Sequence, residues 1–295
     1  MIASLYISNR SFLYNGKDTT KQVEEKLLKF KQMIDYVNQY DDNLFFLNPE
    51  NFLATTLLDK GVTIGDVIKN MKSNLLNRDC LYLFMTLFKK CKKTTEITNQ
   101  GFLEYLELEN KDECNGLLVL NEQVDLPTSI QIISTKEGWL NFRRYYLSKY
   151  PINPSYFLAE TKKYFDCLRI HSQNANCYLK EILDTHCKRI VAYLSALNDH
   201  FIYEYKIFNG DLIHFLPCFA TKYGIDDASF EGRKDAKFLC RFKLDDKQVL
   251  AVYCEPHLKM FKDDSGNDNQ HGRIYFKAPN KEDKIIYIGF ICKHL

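Results

Sequence analysis

Near the C-terminal end, five side chains are of the types that move protons and neutralise anions: His257, Lys259, Arg273, Tyr275 and His294. Breaking a phosphodiester of RNA without a metal needs a base for the 2′-hydroxyl and an acid for the leaving 5′-oxygen. It also needs cations at the phosphate as charge builds. Histidine, lysine, arginine and tyrosine cover all of these roles. Arg273 and Tyr275 are two residues apart, which on a strand puts them on one face.

Three other groupings bear chemistry. Cys167, His171, Cys177, His186 and Cys187 are soft or borderline ligands, and Cys167 and His171 stand one helical turn apart, a set that would satisfy zinc. The spacing fits no familiar finger, and buried cysteines that bind nothing are common. Glu204 and Lys206 in FIYEYKIF form an ExK triplet of the kind found in metal-dependent nucleases, yet no preceding strand ends in the second acid that such a site requires. Asp263, Asp264, Asn267 and Asp268 lie in the loop FKDDSGNDNQHG and offer oxygens to calcium, but the closing Glu of an EF-hand loop is missing. The expected reading is a solvated connection.

The elements that must carry the C-terminal five read as short strands: 237–244, 248–254, 273–277 and 285–291, forming an antiparallel sheet. His257 and Lys259 are expected just after the second strand and His294 just after the fourth. Upstream, Ile2–Ile7 reads as a strand. Thr19–Thr20 caps a helix with apolar positions Val23, Leu27, Phe30, Ile34 and Val37 at three- and four-residue steps. Further helices are expected from Pro49 to Leu58, from Thr63, from Leu81 to Phe88 and from Thr98. ECNG reads as a turn, LLVLNE and SIQIIS as strands, and DLPT as the connection between those two. Trp139 opens an aromatic helix, either as a core anchor or, with Arg143 and Arg144, as a base-stacking platform. YPINP at 150–154 is the strongest punctuation and sets an expected boundary between 1–150 and 151–295. A helix from Ser155 to Ile170, a break at HSQNAN and a helix from Cys177 to Leu197 follow. Strands are expected from Phe201 to the end. The fold class expected is α+β: a mostly helical N-terminal region, a helix pair and a C-terminal antiparallel β-sheet.

The 295 residues, 45% hydrophobic, suffice for two well-filled cores, and the formal net charge of +2 announces no global field for a polyanion. Between 271 and 295 basic residues exceed acidic ones by three, a patch large enough for one phosphate and too small to grip a long duplex. Ten scattered cysteines without a CxxC pair, behind an N-terminus that lacks an export signal, imply reduced thiols and a cytoplasmic protein. The longest apolar runs fall short of the roughly 20 residues of a membrane span, so no membrane partner is expected.

The ending, a strand RIYF, a connection, then an apolar strand closing in a basic, histidine-containing terminus, resembles the last two strands of RelE/ParE-type toxins. That family includes messenger-RNA-cleaving ribonucleases with a small antiparallel sheet, in which Arg, Lys, His and Tyr side chains surround the scissile phosphate. The resemblance covers the last quarter of the chain or less. It implies roles for Arg273, Tyr275 and His294 and, more loosely, for His257 and Lys259. The function expected is a metal-independent endoribonuclease, toxin-like or an antiviral defence effector, with no cofactor or metal. RNA is the expected partner, alongside an inhibitory or activating protein. A non-catalytic interaction subunit of a multi-protein assembly and a metal-dependent nuclease stand as alternatives.

Overall fold

The computed structural model describes residues 2–40, 42–47, 51–70, 75–94, 106, 113–120, 130–230, 232, 234–244, 248–268, 271–279 and 284–293. The chain forms two compact units, Met1–Arg143 and Arg144–Leu295, which divide within the helix Lys136–Lys149.

The first unit is built on a parallel sheet. Strands β1 (Ile2–Ser8), β2 (Asn43–Leu47), β3 (Lys92–Thr94), β4 (Glu113–Leu118) and β5 (Ile132–Ile133) lie in the order β3-β2-β1-β4-β5, every pair parallel. Parallel neighbours need crossover connections. The first is the helix Thr20–Val37, whose start Thr19 and Gln22 hold in a reciprocal capping box. Its apolar stripe, Val23, Leu27, Phe30, Met33, Ile34 and Val37, is buried as the spacing predicts. Leu5, Tyr6, Ile7 and Ser8 are buried in succession, the mark of a strand covered on both faces. Thr63 and Asp66 form a second capping box on the helix Ile64–Lys69, and Asn77 caps Arg78–Lys90.

Trp139 is the core anchor of this unit. It is fully buried and donates Nε1–H to Asp42 at 3.1 Å, while Arg143 reaches the same carboxylate at 3.4 Å with both side chains almost wholly enclosed. A base cannot stack on a ring so enclosed, which removes the platform reading. ECNG is part of β4 rather than a turn. Asn51–Leu58 makes turns in place of the helix expected there. Pro49, the helix from Thr98 and the DLPT connection lie outside the described residues.

In the second unit the helix Pro154–Tyr164 begins at an Asn153 cap with proline in its first turn. It stops well before Ile170, because Leu168–Ile170 forms strand β6. The helices Ser172–Leu179 and Leu183–Ala196 follow. NDHF does not stop the second of these: the chain passes through a π turn, Leu197–Phe201, into the helix Ile202–Ile207, and Leu212–Lys222 follows under an Asp211 cap. The strands expected from Phe201 are therefore helical as far as Lys222. Their aromatic rings, Phe201, Tyr205, Phe208, Phe215 and Phe219, pack on one another at centroid distances of 5.0–5.6 Å. That cluster needs helical spacing.

Strands β7 (Asp227–Ser229), β10 (His257–Met260), β11 (Gly272–Lys277) and β12 (Ile286–Lys293) are antiparallel in the order β12-β11-β10-β7, and β6 joins β12 in parallel. Among the described residues, strands β8 (Leu239–Lys243) and β9 (Val249–Tyr253) pair only with each other. The α+β class stands, with the N-terminal strands gathered into a parallel sheet and the C-terminal sheet largely antiparallel. No helix among the described residues is long and apolar enough to cross a membrane.

Candidate phosphate site on the C-terminal sheet

Register brings four of the five expected side chains onto one face. His257 is directly opposite Tyr275, and Lys259 is opposite Arg273. On the far side of β10, Ser229 is opposite His257 and Asp227 opposite Lys259. Beyond β11, Phe290 is opposite Tyr275 and Cys292 opposite Arg273. Two rows result, Asp227–Lys259–Arg273–Cys292 and Ser229–His257–Tyr275–Phe290, on the same side of the pleat. His257 and Lys259 thus belong to a strand, not to a loop after one. His294 lies outside the described residues.

The other face makes the position of this one rigid. Leu258, Met260, Ile274, Phe276, Ile288 and Ile291 are fully buried there. Phe276 meets Phe201 edge-on at 5.2 Å. A Cβ on Gly272 would lie 2.7 Å from the Met260 methyl and 3.5 Å from both His186 and Ile182, so backbone and helix approach closely here. On the site face, the β8–β9 hairpin covers one end: Phe238, Cys240, Phe242 and Val252 pack with Tyr275, Phe290 and Cys292. Asp227, Lys259 and Arg273 remain partly open to solvent.

Within the rows, hydrogen bonds set the chemical state of each group. The Glu255 carbonyl, which can only accept, takes a hydrogen bond from His257 Nδ1 at 3.0 Å. In the neutral ring Nε2 then keeps its lone pair and accepts from the Ser229 hydroxyl at 3.1 Å. The histidine is nearly enclosed, and its ring stands 4.8 Å from that of Tyr275. Lys259 Nζ is 2.6 Å from Asp227 Oδ2. Arg273 donates Nη1–H to the Tyr275 hydroxyl at 3.3 Å and, among the described residues, has no carboxylate partner. Burial pushes the Cys292 thiol up to about 12 against the opposing pull of Arg273, so it is protonated and not a nucleophile.

Sequence patterning misses Asp227, Ser229 and Glu255. Asp227 and Ser229 lie on a three-residue strand, too short to show alternation, and Glu255 is a buried acid between strands whose Oε2 accepts from the Gly232 amide.

The other groupings resolve differently. Among the described residues no group of three or more metal-ligating side chains converges. His171 Nε2 contacts the Arg241 carbonyl at 3.0 Å, His186 Nδ1 meets Thr185 Oγ1 at 2.8 Å, and Cys187 is buried against the Leu147 carbonyl. Glu204 and Lys206 are on a helix, and Glu204 accepts from Lys222 and Tyr223. The strand geometry of an ExK nuclease is therefore absent at this triplet. Asp263 folds its own loop by accepting from the amides of Ser265 and Asn267. Asp264 is tied to the second turn of the helix that begins at Leu183: it accepts from the amides of Lys188 and Arg189, and its own amide donates to the Thr185 carbonyl. That loop is the largely exposed connection expected between strands, here β10 and β11, and Asp264 ties it to the helix.

Comparison with protein-family models, curated proteins and solved structures finds no match for the chain.

Proposed function

We propose that the chain is a metal-independent endoribonuclease, a toxin-like or antiviral defence effector, acting on the face formed by β7, β10 and β11. The observation that carries this reading is the register that sets His257 opposite Tyr275 and Lys259 opposite Arg273 in adjacent rows. His257 Nε2 takes the proton of the 2′-hydroxyl. The 2′-oxygen forms its bond to phosphorus as the bond from phosphorus to the 5′-oxygen breaks, leaving a 2′,3′-cyclic phosphate. The ammonium of Lys259 gives a proton to the departing 5′-oxygen, and Arg273 donates hydrogen bonds to a non-bridging oxygen. Tyr275 orients Arg273. For this, the 2′-hydroxyl takes the place of the Ser229 hydroxyl at His257 Nε2, and the substrate phosphate that of Asp227 at Lys259.

The test is cleavage of single-stranded RNA by Arg273→Ala and the wild type, with EDTA present and absent. The expected result is a loss of about 100-fold or more in the variant, an unchanged circular dichroism spectrum and no effect of EDTA. Wild-type protein that leaves RNA intact overturns the reading.

A second reading is a non-catalytic interaction subunit, favoured by the partners that His257 and Lys259 already have within the sheet. In that case the rows are cross-strand ties, and Lys259→Met lowers stability while no RNA is cut by any form of the protein.

A further inference from the structure

In the N-terminal sheet the chain steps outward from β1 to β2 to β3, then returns to the other side of β1 for β4 and β5. In open parallel sheets of this kind, ligands settle outside the carboxyl ends of the strands, where the order reverses. The reversal falls between β1 and β4, so the carboxyl end of β1 borders it on one side. The last residue of β1, Ser8, is the register partner of Leu47, the last residue of β2, so both strands end at one level.

A cleft of about 260 Å³ opens just beyond that level. One wall is Asn9–Leu13, which leaves β1 as a single 3₁₀ turn; the other is Asn51–Thr56, a few residues past β2. The walls are tied: the Tyr14 amide donates to the Thr56 carbonyl at 2.8 Å. Beneath them Phe12 and Phe52 meet edge to face at 5.3 Å, and both also pack on Phe84. The second wall is fixed from behind, because the Gly65 amide donates to the Leu53 carbonyl at 2.8 Å and a Cβ on Gly65 would stand only 2.9 Å from that oxygen. The cleft is preformed rather than a gap between loose loops.

Its chemistry is specific. Among the described residues Arg10 is the one charged side chain of the lining, is exposed and has no carboxylate partner. Asn9, Asn51 and Thr56 bring amide and hydroxyl groups, and Leu13 and Ala54 bring an apolar surface, with Leu13 52% exposed. An anion for Arg10, hydroxyls or ring nitrogens for the amides and a flat apolar group for Leu13 describe a nucleotide. The volume, just under the roughly 300 Å³ at which ligand pockets usually begin, suits one nucleotide and not two.

We propose that this cleft at the carboxyl end of β1 and β2 is a nucleoside monophosphate site, with the phosphate on Arg10 and the base against Leu13 and Ala54. The site is independent of the C-terminal face and of the ribonuclease reading.

Isothermal titration calorimetry of the full chain with AMP, GMP, CMP and UMP, and with adenosine and inorganic phosphate, tests it. At least one monophosphate binds saturably with one site per chain. Arg10→Gln weakens that monophosphate about tenfold or more and leaves its nucleoside unchanged. Ala54→Trp fills the cleft from an exposed position and abolishes binding of both. No binding of any monophosphate at low-millimolar concentration overturns the proposal, as does wild-type affinity in Arg10→Gln. Binding that is lost in Arg273→Ala but survives in Ala54→Trp puts the nucleotide on the C-terminal sheet and also overturns it.

Discussion

The two sheets of this chain place their polar groups in opposite ways. In the parallel sheet the central strands β1 and β4 are buried along most of their length, while polar residues fall on the edge strand β3 and beyond the strand ends. The antiparallel sheet commits one face to an apolar core and leaves the other to carry Asp227, Ser229, His257, Lys259 and Arg273 in cross-strand rows. Chemistry sits at the edge of the first sheet and on the surface of the second. An edge site depends on loop geometry, whereas a face site depends on register, and a one-residue slip would turn all of the face side chains into the core.

Each sheet has a weak point that sharpens this contrast. The largest effect is expected from Asp42→Ala in the N-terminal unit, which takes from Arg143 and the Trp139 Nε1–H the carboxylate they share in a closed interior. Urea denaturation should register a loss of about 3–5 kcal/mol. The corresponding change in the C-terminal unit, Asp199→Ala, should cost only about 2 kcal/mol, because Arg144 keeps two hydrogen bonds to the Tyr164 carbonyl and Asp199 is one-third exposed. Equal losses would mean that both pairs are equally cut off from water.

Glycines give the next comparison. A Cβ at Gly289, on β12, would lie 2.7–2.9 Å from Cys254 and Cys240, which pins the β8–β9 hairpin to the sheet; Gly289→Ala should cost about 1–3 kcal/mol. At Gly116, on β4, the nearest atoms are the tips of Ile133, Leu5 and Phe142 at 3.1–3.2 Å, an overlap that a shift of a few tenths of an ångström relieves. Gly116→Ala should therefore cost about 1 kcal/mol or less by the same measurement.

The smallest effect depends on pH. Burial raises the pKa of Glu204, but hydrogen bonds from Lys222 and Tyr223 outweigh it and leave the carboxyl below its ordinary value. A depressed carboxyl stabilises the fold above its unfolded pKa, and that contribution disappears as pH falls through the folded value. Wild type and Glu204→Gln should differ by less than about 1 kcal/mol at neutral pH, and the gap in melting temperature should close as pH falls below the ordinary carboxylate range. A gap that widens in acid would contradict the sign.

Legibility in the sequence follows the same division. Where an element carries its own period and cap, the residues alone suffice: Thr19 before the stripe of Thr20–Val37, Asn153–Pro154 ahead of Pro154–Tyr164, and the alternation of β8, β9, β11 and β12. Four of the five candidate side chains meet on one face because alternation and antiparallel pairing are local rules. The parallel sheet is not legible, since β3 and β5 are three and two residues long and exist only because longer neighbours template them. Nor is the helical character of FIYEYKIF, whose alternation imitates a strand until the Phe201 cluster decides the matter.

Asp264 has a bearing on the order in which this chain matures. The amides of Lys188 and Arg189 donate to a carboxylate 76 and 75 positions further on. A ribosome releases those residues long before it makes the aspartate, so the helix from Leu183 emerges without the carboxylate that its second-turn amides bind. That tie closes only once synthesis has passed β10, with the strand that bears His257 and Lys259 already made.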